Sequence, residues 1–180
     1  RGLGDVYKRQ SPQWLATSHG SILVAVASKL LPQTVIFAAV GIFIQWLFFG
    51  LSHFPLNGSL GWMIVATLLT VVASQGVGLF VSSVVPNPRL AFSLTALFGI
   101  LSFSFTGFSF PVESMYGWLG IFSYLAPIRY WFLIYINEAL NGVGLYYSRY
   151  YFVALIVLPL VACTLLRRLR SACLKPVYVP

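Results

Sequence analysis

The sequence predicts an all-α fold: a polytopic transmembrane helix bundle of four spans, with a re-entrant helical hairpin before the last span. Three observations predict it. Hydrophobic residues make up 59% of the 180-residue chain and charged residues only 8%, with a mean hydropathy of +0.88, whereas a soluble domain carries about 25% charge. Several apolar stretches reach the roughly 20 residues that a helix needs to cross the hydrocarbon core. Basic residues stand at the ends of those stretches, where charge sets membrane orientation. A soluble enzyme, a disordered tail and a disulfide-rich secreted module are set aside by this composition.

The net charge of +8 does not point to nucleic acid. Lys29 and Arg89 edge apolar runs, and Arg167, Arg168, Arg170 and Lys175 follow the last one, with no basic face interleaved with aromatics. Cys163 and Cys173 are too few for a disulfide framework and have no histidine at zinc-ligand spacing. The acidic residues Asp5, Glu113 and Glu138 leave little for carboxylate catalysis.

Taken in order, residues 1–10 (RGLGDVYKRQ) read unlike the rest and resemble translated adaptor sequence, so they are expected to be an artefact outside the fold. No signal peptide is visible. A first span is expected over Leu30–Leu51, uncharged and ended by the turn-like Ser52–Gly58, and a second over Leu60–Val85, stopped by Pro86-Asn87-Pro88. A third is expected over Leu90–Phe110, stopped by Pro111, and a last over Tyr150–Leu166, followed at once by the basic tail 167–180. In lipid these must be helices, because helices and closed barrels alone satisfy every backbone group, and barrel-type alternation is absent.

Between the third and last spans, residues 112–141 are apolar and aromatic but carry Glu113, Arg129 and Glu138, with Pro127 in the middle. A single crossing helix would put Arg129 near the bilayer centre at a cost of about 2.5–3.5 kcal/mol. Two half-helices meeting at Ala126-Pro127 would enter and leave on one side. The hairpin puts Lys29, Arg89 and the basic tail together, with Arg129 and Arg149 opposite. The positive-inside rule prefers that arrangement, with a cytoplasmic tail.

In the second span Ala66, Thr70, Ser74, Gly78 and Ser82 recur every fourth position, a stripe that lets helix backbones approach. It suits intramolecular packing or a dimer face. Gln45 and Gln75 are expected to bond to a neighbouring helix. Phe103, Phe105, Phe108, Phe110, Trp118, Tyr124, Tyr130 and Trp131 fit an interfacial belt, or the lining for an amphipathic substrate. No phosphate-cradling glycine loop followed by Lys-Ser/Thr is present, nor a nucleophile elbow. His19 and His53 fall on opposite sides of the membrane.

The stretch Thr106–Gly142 (TGFSFPVESMYGWLGIFSYLAPIRYWFLIYINEALNG) resembles the signature region of the ABC transporter type-2 permease family. There a span ends in Gly-Phe-x-Phe-Pro, an acidic residue and Met follow, and a second Pro opens the next half-helix. The matching positions are Gly107, Phe108, Phe110, Pro111, Glu113, Met115 and Pro127, and Asn137–Gly142, which contains Glu138, suits the same family. Trp14–Pro32 resembles the cytoplasmic loop that leads into the third span of such permeases. Tyr116 departs from the pattern, since many members have Pro after Met, which leaves the kink there open. The resemblance runs from about Gln13 to the tail, and the order of the motifs carries more weight than any one of them.

The resemblance implies the membrane-spanning permease subunit of an ATP-driven ABC exporter, not an enzyme in its own right. It implies a multi-pass protein of the cytoplasmic (inner) membrane of a bacterium, with its C-terminus in the cytoplasm. No cofactor is expected on this chain, because ATP and Mg would sit on a separate ATP-binding subunit. The partners implied are that subunit, a second permease copy or homologue, and membrane lipid. Within residues 13–29, Thr17, Ser18, His19, Gly20 and Ser21 would dock on the ATPase, and the hairpin 112–141 would form an outer gate. Glu113 and Glu138 are open to a structural role or to substrate contact. The family pattern places two further spans upstream, so residues 11–180 are expected to be the C-terminal part of the transmembrane domain. The alternative is a non-transporting membrane anchor or regulatory subunit, which would also lack catalytic residues.

Overall fold

The computed structural model describes residues 21–85, 87–108 and 111–166, and every regular element among them is helical. Helix α1, Ile22–Gln45, continues as a π-helical stretch, Trp46–Leu51. Then come α2 (Leu60–Val84) and α3 (Pro88–Phe105), a short 3-10 turn (Val112–Ser114) and α4 (Gly117–Tyr124). Helix α5 (Pro127–Ile134) also continues as a π-helical stretch, Tyr135–Leu140, and α6 covers Leu145–Thr164.

Among the described residues three helices are long and apolar enough to cross a membrane: Ile22–Leu51 with 30 residues, Leu60–Val84 with 25 and Leu145–Thr164 with 20. The third of the four expected spans is the shorter apolar helix Arg89–Phe105. It ends before Phe110 because the chain leaves helical space at Gly107, whose φ of 106° only glycine adopts without strain. Its start is well defined: the Asn87 side chain accepts a 3.0 Å hydrogen bond from Arg89 N–H, and proline in the first turn costs no intrahelical bond. Helix α1 begins at Ile22 rather than Leu30, since Ile22–Ala27 continue the apolar run and Ser21 is extended. Helix α6 begins at Leu145, after an extended Gly144, and so takes in Tyr146, Tyr147 and Arg149.

Helix α2 is the centre of the bundle and packs along α6. Its buried residues are Met63, Ala66, Ala73, Gly76 and Ser83, and Met63, Ala66 and Ala73 meet Ile134, Ala139, Phe152 and Leu155 in one apolar core. The two backbones come closest at Gly76, where an added Cβ would lie 2.6 Å from Pro159 Cα. Of the four-residue stripe, Ala66 lies in this core while Ser74 is exposed, so the stripe as a whole is not the packed face. Each four-residue step overshoots a full turn by about 40°, so a row from Ala66 to Ser82 winds off any neighbour. Gly78 meets nothing within 4 Å. The buried positions 63, 66, 73, 76 and 83 instead alternate steps of three and seven residues, a repeat that stays on one face.

The two ends of the bundle are distinct. Val26 and Leu166 form a second cluster with Ile22, Leu30 and Leu79, so the start of α1, the end of α2 and the end of α6 share one end. Loop 52–59, between α1 and α2, lies at the other.

Candidate functional site

Four elements and loop 52–59 line an open-sided cavity of about 570 Å³, several of whose side chains, among them Phe48, Phe54 and Phe103, are also exposed at the surface. From α1 and its π-helical extension come Gly41, Ile44, Gln45, Phe48 and Phe49, and from α2 come Thr67, Thr70 and Val71. From α5 come Ile128, Trp131 and Tyr135. Each set repeats at three- and four-residue intervals, one face of a helix. Phe103 near the end of α3, Phe108 just beyond it and Phe54 from the loop complete the wall. Both π-helical stretches of the described chain border this space, contributing Phe48, Phe49 and Tyr135; such wide turns recur at functional sites.

The rim is built locally. His53 takes a positive φ of 50°, a left-handed position that histidine tolerates better than most residues. The turn returns Phe54 over α1, where its N–H donates to Phe48 O at 3.1 Å and the two rings meet edge to face at 5.5 Å. On the opposite wall Trp131 stacks on Tyr135 with centroids 5.7 Å apart, and Tyr135 faces Phe49 at 6.4 Å.

Several polar groups of the wall are bonded to one another or to the backbone. Thr67 Oγ1 donates to Met63 O at 3.1 Å and accepts from Trp131 Nε1 at 2.9 Å and from Gln45 Nε2. A hydroxyl has one proton and two lone pairs, so Thr67 is fully used. Gln45 Nε2 also donates to Met63 O at 3.0 Å, and its Oε1 is buried without a partner. Thr70 Oγ1 donates to Ala66 O at 2.8 Å. Deeper in the bundle, Thr34 Oγ1 lies 2.9 Å from the Gln75 amide, so both span glutamines bond across helices.

The chain between α3 and α6 turns back at Leu125–Ala126, where Ala126 is extended before Pro127 opens α5. Phe122 of α4 packs on Phe98 and Phe105 of α3, at 5.2 and 6.1 Å. Phe132 of α5 lies 4.0 Å from Phe108. Arg129 Nη1 donates to Ser123 Oγ at 2.9 Å while its guanidinium covers the Tyr124 ring at 4.7 Å. Tyr130 donates to Tyr124 O at 2.7 Å. At the far end of α5 the Asn57 N–H donates to Ala139 O at 2.9 Å and its Nδ2 to Leu140 O at 2.7 Å. Loop 52–59 and the end of α5 are thereby clamped together, with Gly58 against Glu138 O.

Of the residues singled out in the sequence, Phe108 lines the cavity and Gly107 supplies the turn that aims it. Pro111 precedes the 3-10 turn that holds Glu113, and the Met115 N–H donates to Val112 O at 3.1 Å at its end. Pro127 is buried at the head of α5. Glu138 is 3% exposed, and its Oε1 has no hydrogen-bond partner. It forms no ion pair with Arg129, which is engaged with Ser123 and Tyr124 instead. Ser21 is the extended residue before α1, and its carbonyl accepts from Ala25 N–H at 3.1 Å. Thr17, Ser18, His19, Gly20 and Phe110 lie outside the described residues.

The residues missed were Phe48, Phe49, Phe54 and Tyr135. A signal for the first two was present, since positions 41, 44, 45, 48 and 49 make one helical face that carries a glycine, an amide and two rings. Of the aromatics expected as a belt or a lining, Phe103, Phe108 and Trp131 line the cavity, whereas Trp118 and Tyr124 are exposed and lie outside its lining.

Residues 13–137 match the family described as ABC-2 type transporter. Neither a curated protein nor a solved structure matches the chain.

Proposed function

The chain belongs to the ABC-2 type transporter family, and from that premise we propose that it is the permease subunit of an ATP-driven exporter, with ATP and Mg bound and hydrolysed on a separate ATP-binding subunit. Its long apolar helices make it a multi-pass membrane protein. The observation that carries the export reading is the aromatic cavity between α1, α2, α5 and the end of α3. An anchor needs only a packed bundle, whereas a permease needs an open-sided space between its helices that a guest can enter.

Orientation is supported by the two ends of the bundle. Lys29 near the start of α1 and Arg89 at the start of α3 lie at one end, the end at which α6 also finishes, and the basic residues of the sequence follow Leu166. Under the positive-inside rule that end faces the cytoplasm. Loop 52–59, the clamp at Asn57 and Arg149 then face outward. The 3-10 turn and the end of α5 both lie at this outer end, which supports a re-entrant hairpin over 112–141 acting as an outer cap. Residues Thr17–Ser21, ahead of α1, are proposed to dock on the ATP-binding subunit and pass its motion to α1 as a rigid rod. A second permease copy or homologue would complete the pathway in the cytoplasmic membrane of a bacterium.

The test is transport by vesicles holding the permease and its ATP-binding partner. His19→Asp and Gly20→Trp are expected to insert normally and keep ATP hydrolysis while transport is lost. Normal coupling in both variants would overturn the docking role.

A further inference from the structure

We infer that the cavity is a binding site for the single hydrocarbon or aryl tail of an amphiphile, whose polar head stays outside at the rim formed by loop 52–59. This deepens the export reading by naming a substrate class, and it rests on that reading. The volume of about 570 Å³ falls in the roughly 300–1,000 Å³ of pockets that hold small molecules. The walls decide what kind of molecule fits. Thr67 has used its proton and both lone pairs, Thr70 donates to its own helix, and Gln45 Oε1 is buried away from the open space. A charge or an amide carried inside would lose its water and find few partners on these largely apolar walls, where the Thr70 oxygen can still accept but not donate, an unfavourable transfer.

The rings favour an apolar guest of some length. Phe48 and Phe54 line the rim side, Phe103 and Phe108 stack at 5.5 Å on the α3 side, and Trp131 and Tyr135 stand together on α5. Ring faces and edges along the whole path give dispersion contact to a tail wherever it lies. Phe54 belongs to the connecting loop, so the space reaches the bundle end at which the polar head of an amphiphile meets water. The same tail chemistry is carried by a bilayer phospholipid and by a free amphiphile.

Trp131 reports directly on occupancy. The full chain is placed in nanodiscs of unbrominated phosphatidylcholine, and the Trp131 emission is taken as the difference between the wild type and Trp131→Phe. Bromododecanol is titrated in one arm, and phosphatidylcholine brominated on its acyl chains is substituted in the other. Saturable quenching of the Trp131 emission is expected, and it should be lost in both Val71→Phe and Ile44→Phe, which fill the space from α2 and from α1. Quenching by bromododecanol assigns the site to free amphiphiles. Quenching by the brominated lipid alone assigns it to a bilayer acyl chain. Quenching that is never saturable, or that survives both filling variants, overturns the site and leaves the space to a neighbouring protein segment. ATP-driven export of bromododecanol separates the two readings. Export that survives both filling variants without saturable quenching sinks the site alone, while saturable quenching without export of the bound probe sinks the export reading alone.

Discussion

The indole N–H of Trp131 on α5 donates to the Thr67 hydroxyl on α2 at 2.9 Å, and the same oxygen accepts from Gln45 Nε2 on α1. One atom of the second helix therefore fixes the first helix and the outer limb of the chain that follows α3. Thr67→Val keeps the shape and removes the acceptor for both donors. Leaving a buried N–H without a partner costs about 1–3 kcal/mol, although interhelical bonds in membranes often measure less than that. A loss of about 1–2 kcal/mol is expected in thermal unfolding of the detergent-solubilised protein, with a red shift of tryptophan emission. Thr67→Ser, which keeps the oxygen, should recover most of both. Equal loss in the two variants would show that the methyl group, not the hydroxyl, matters.

Gly76 and Gly78 lie two residues apart on α2 and should respond oppositely to alanine. At Gly76 a Cβ would meet Pro159 Cα at 2.6 Å and Cβ at 2.9 Å, and a backbone atom cannot swing aside. Separating α2 from α6 is an overpacking defect of about 1–3 kcal/mol. At Gly78 the space is open, and alanine should be neutral or gain up to about 1 kcal/mol of helix propensity. Unfolding midpoints of the two variants in one detergent decide the matter, and similar losses in both would refute the packing described for α2.

These two positions show what sequence can and cannot give. The all-helical class, the apolar runs and the break before Pro127 follow from local rules on charge, proline and hydropathy, and were legible. The packed face of α2 was not, because a small residue looks the same whether it meets Pro159 or lipid, and which it meets depends on how α6 lies against it. The cavity was half legible. Phe103, Phe108 and Trp131 stood out as aromatics near the motif, but Phe48 and Phe49 sit far away in sequence and join them through the fold. The end of α3 was misread for a local reason: the apolar run continues past Gly107, while the backbone has already turned.

The clamp between loop 52–59 and the end of α5 predicts a local opening. A Cβ on Gly58 would lie 2.2 Å from Glu138 O, so Gly58→Ala cannot keep the loop seated. Asn57→Ala removes the side-chain bond to Leu140 O and keeps the backbone bond to Ala139 O, a loss of about 0.5–1.5 kcal/mol. Hydrogen exchange at the Asn57 amide should quicken strongly in Gly58→Ala and mildly in Asn57→Ala, while the amides in the middle of α2 stay protected. Unchanged exchange in Gly58→Ala would mean the loop is not held there.

The orientation of α6 is the prediction on which the outer cap depends. Helix α4 has eight residues, and so does the α-helical part of α5, about 12 Å each at 1.5 Å per residue. Even with the π-helical stretch added, the second limb reaches roughly 20 Å, short of the ~30 Å hydrocarbon core. On the proposed topology the chain from Val112 to Asn141 is expected to return to the side it came from, so that α6 would run from outside to inside. In a protein without Cys163, which is exposed on α6, a membrane-impermeant maleimide should label Arg149→Cys in intact cells. Cys173, in the basic tail, should react only after the membrane is opened. Labelling of Cys173 in intact cells would put the tail outside, opposite Lys29 and Arg89. It would also turn the segment around Arg129 into a crossing helix with a cation near the bilayer centre, the arrangement that both the charge distribution and the limb lengths disfavour.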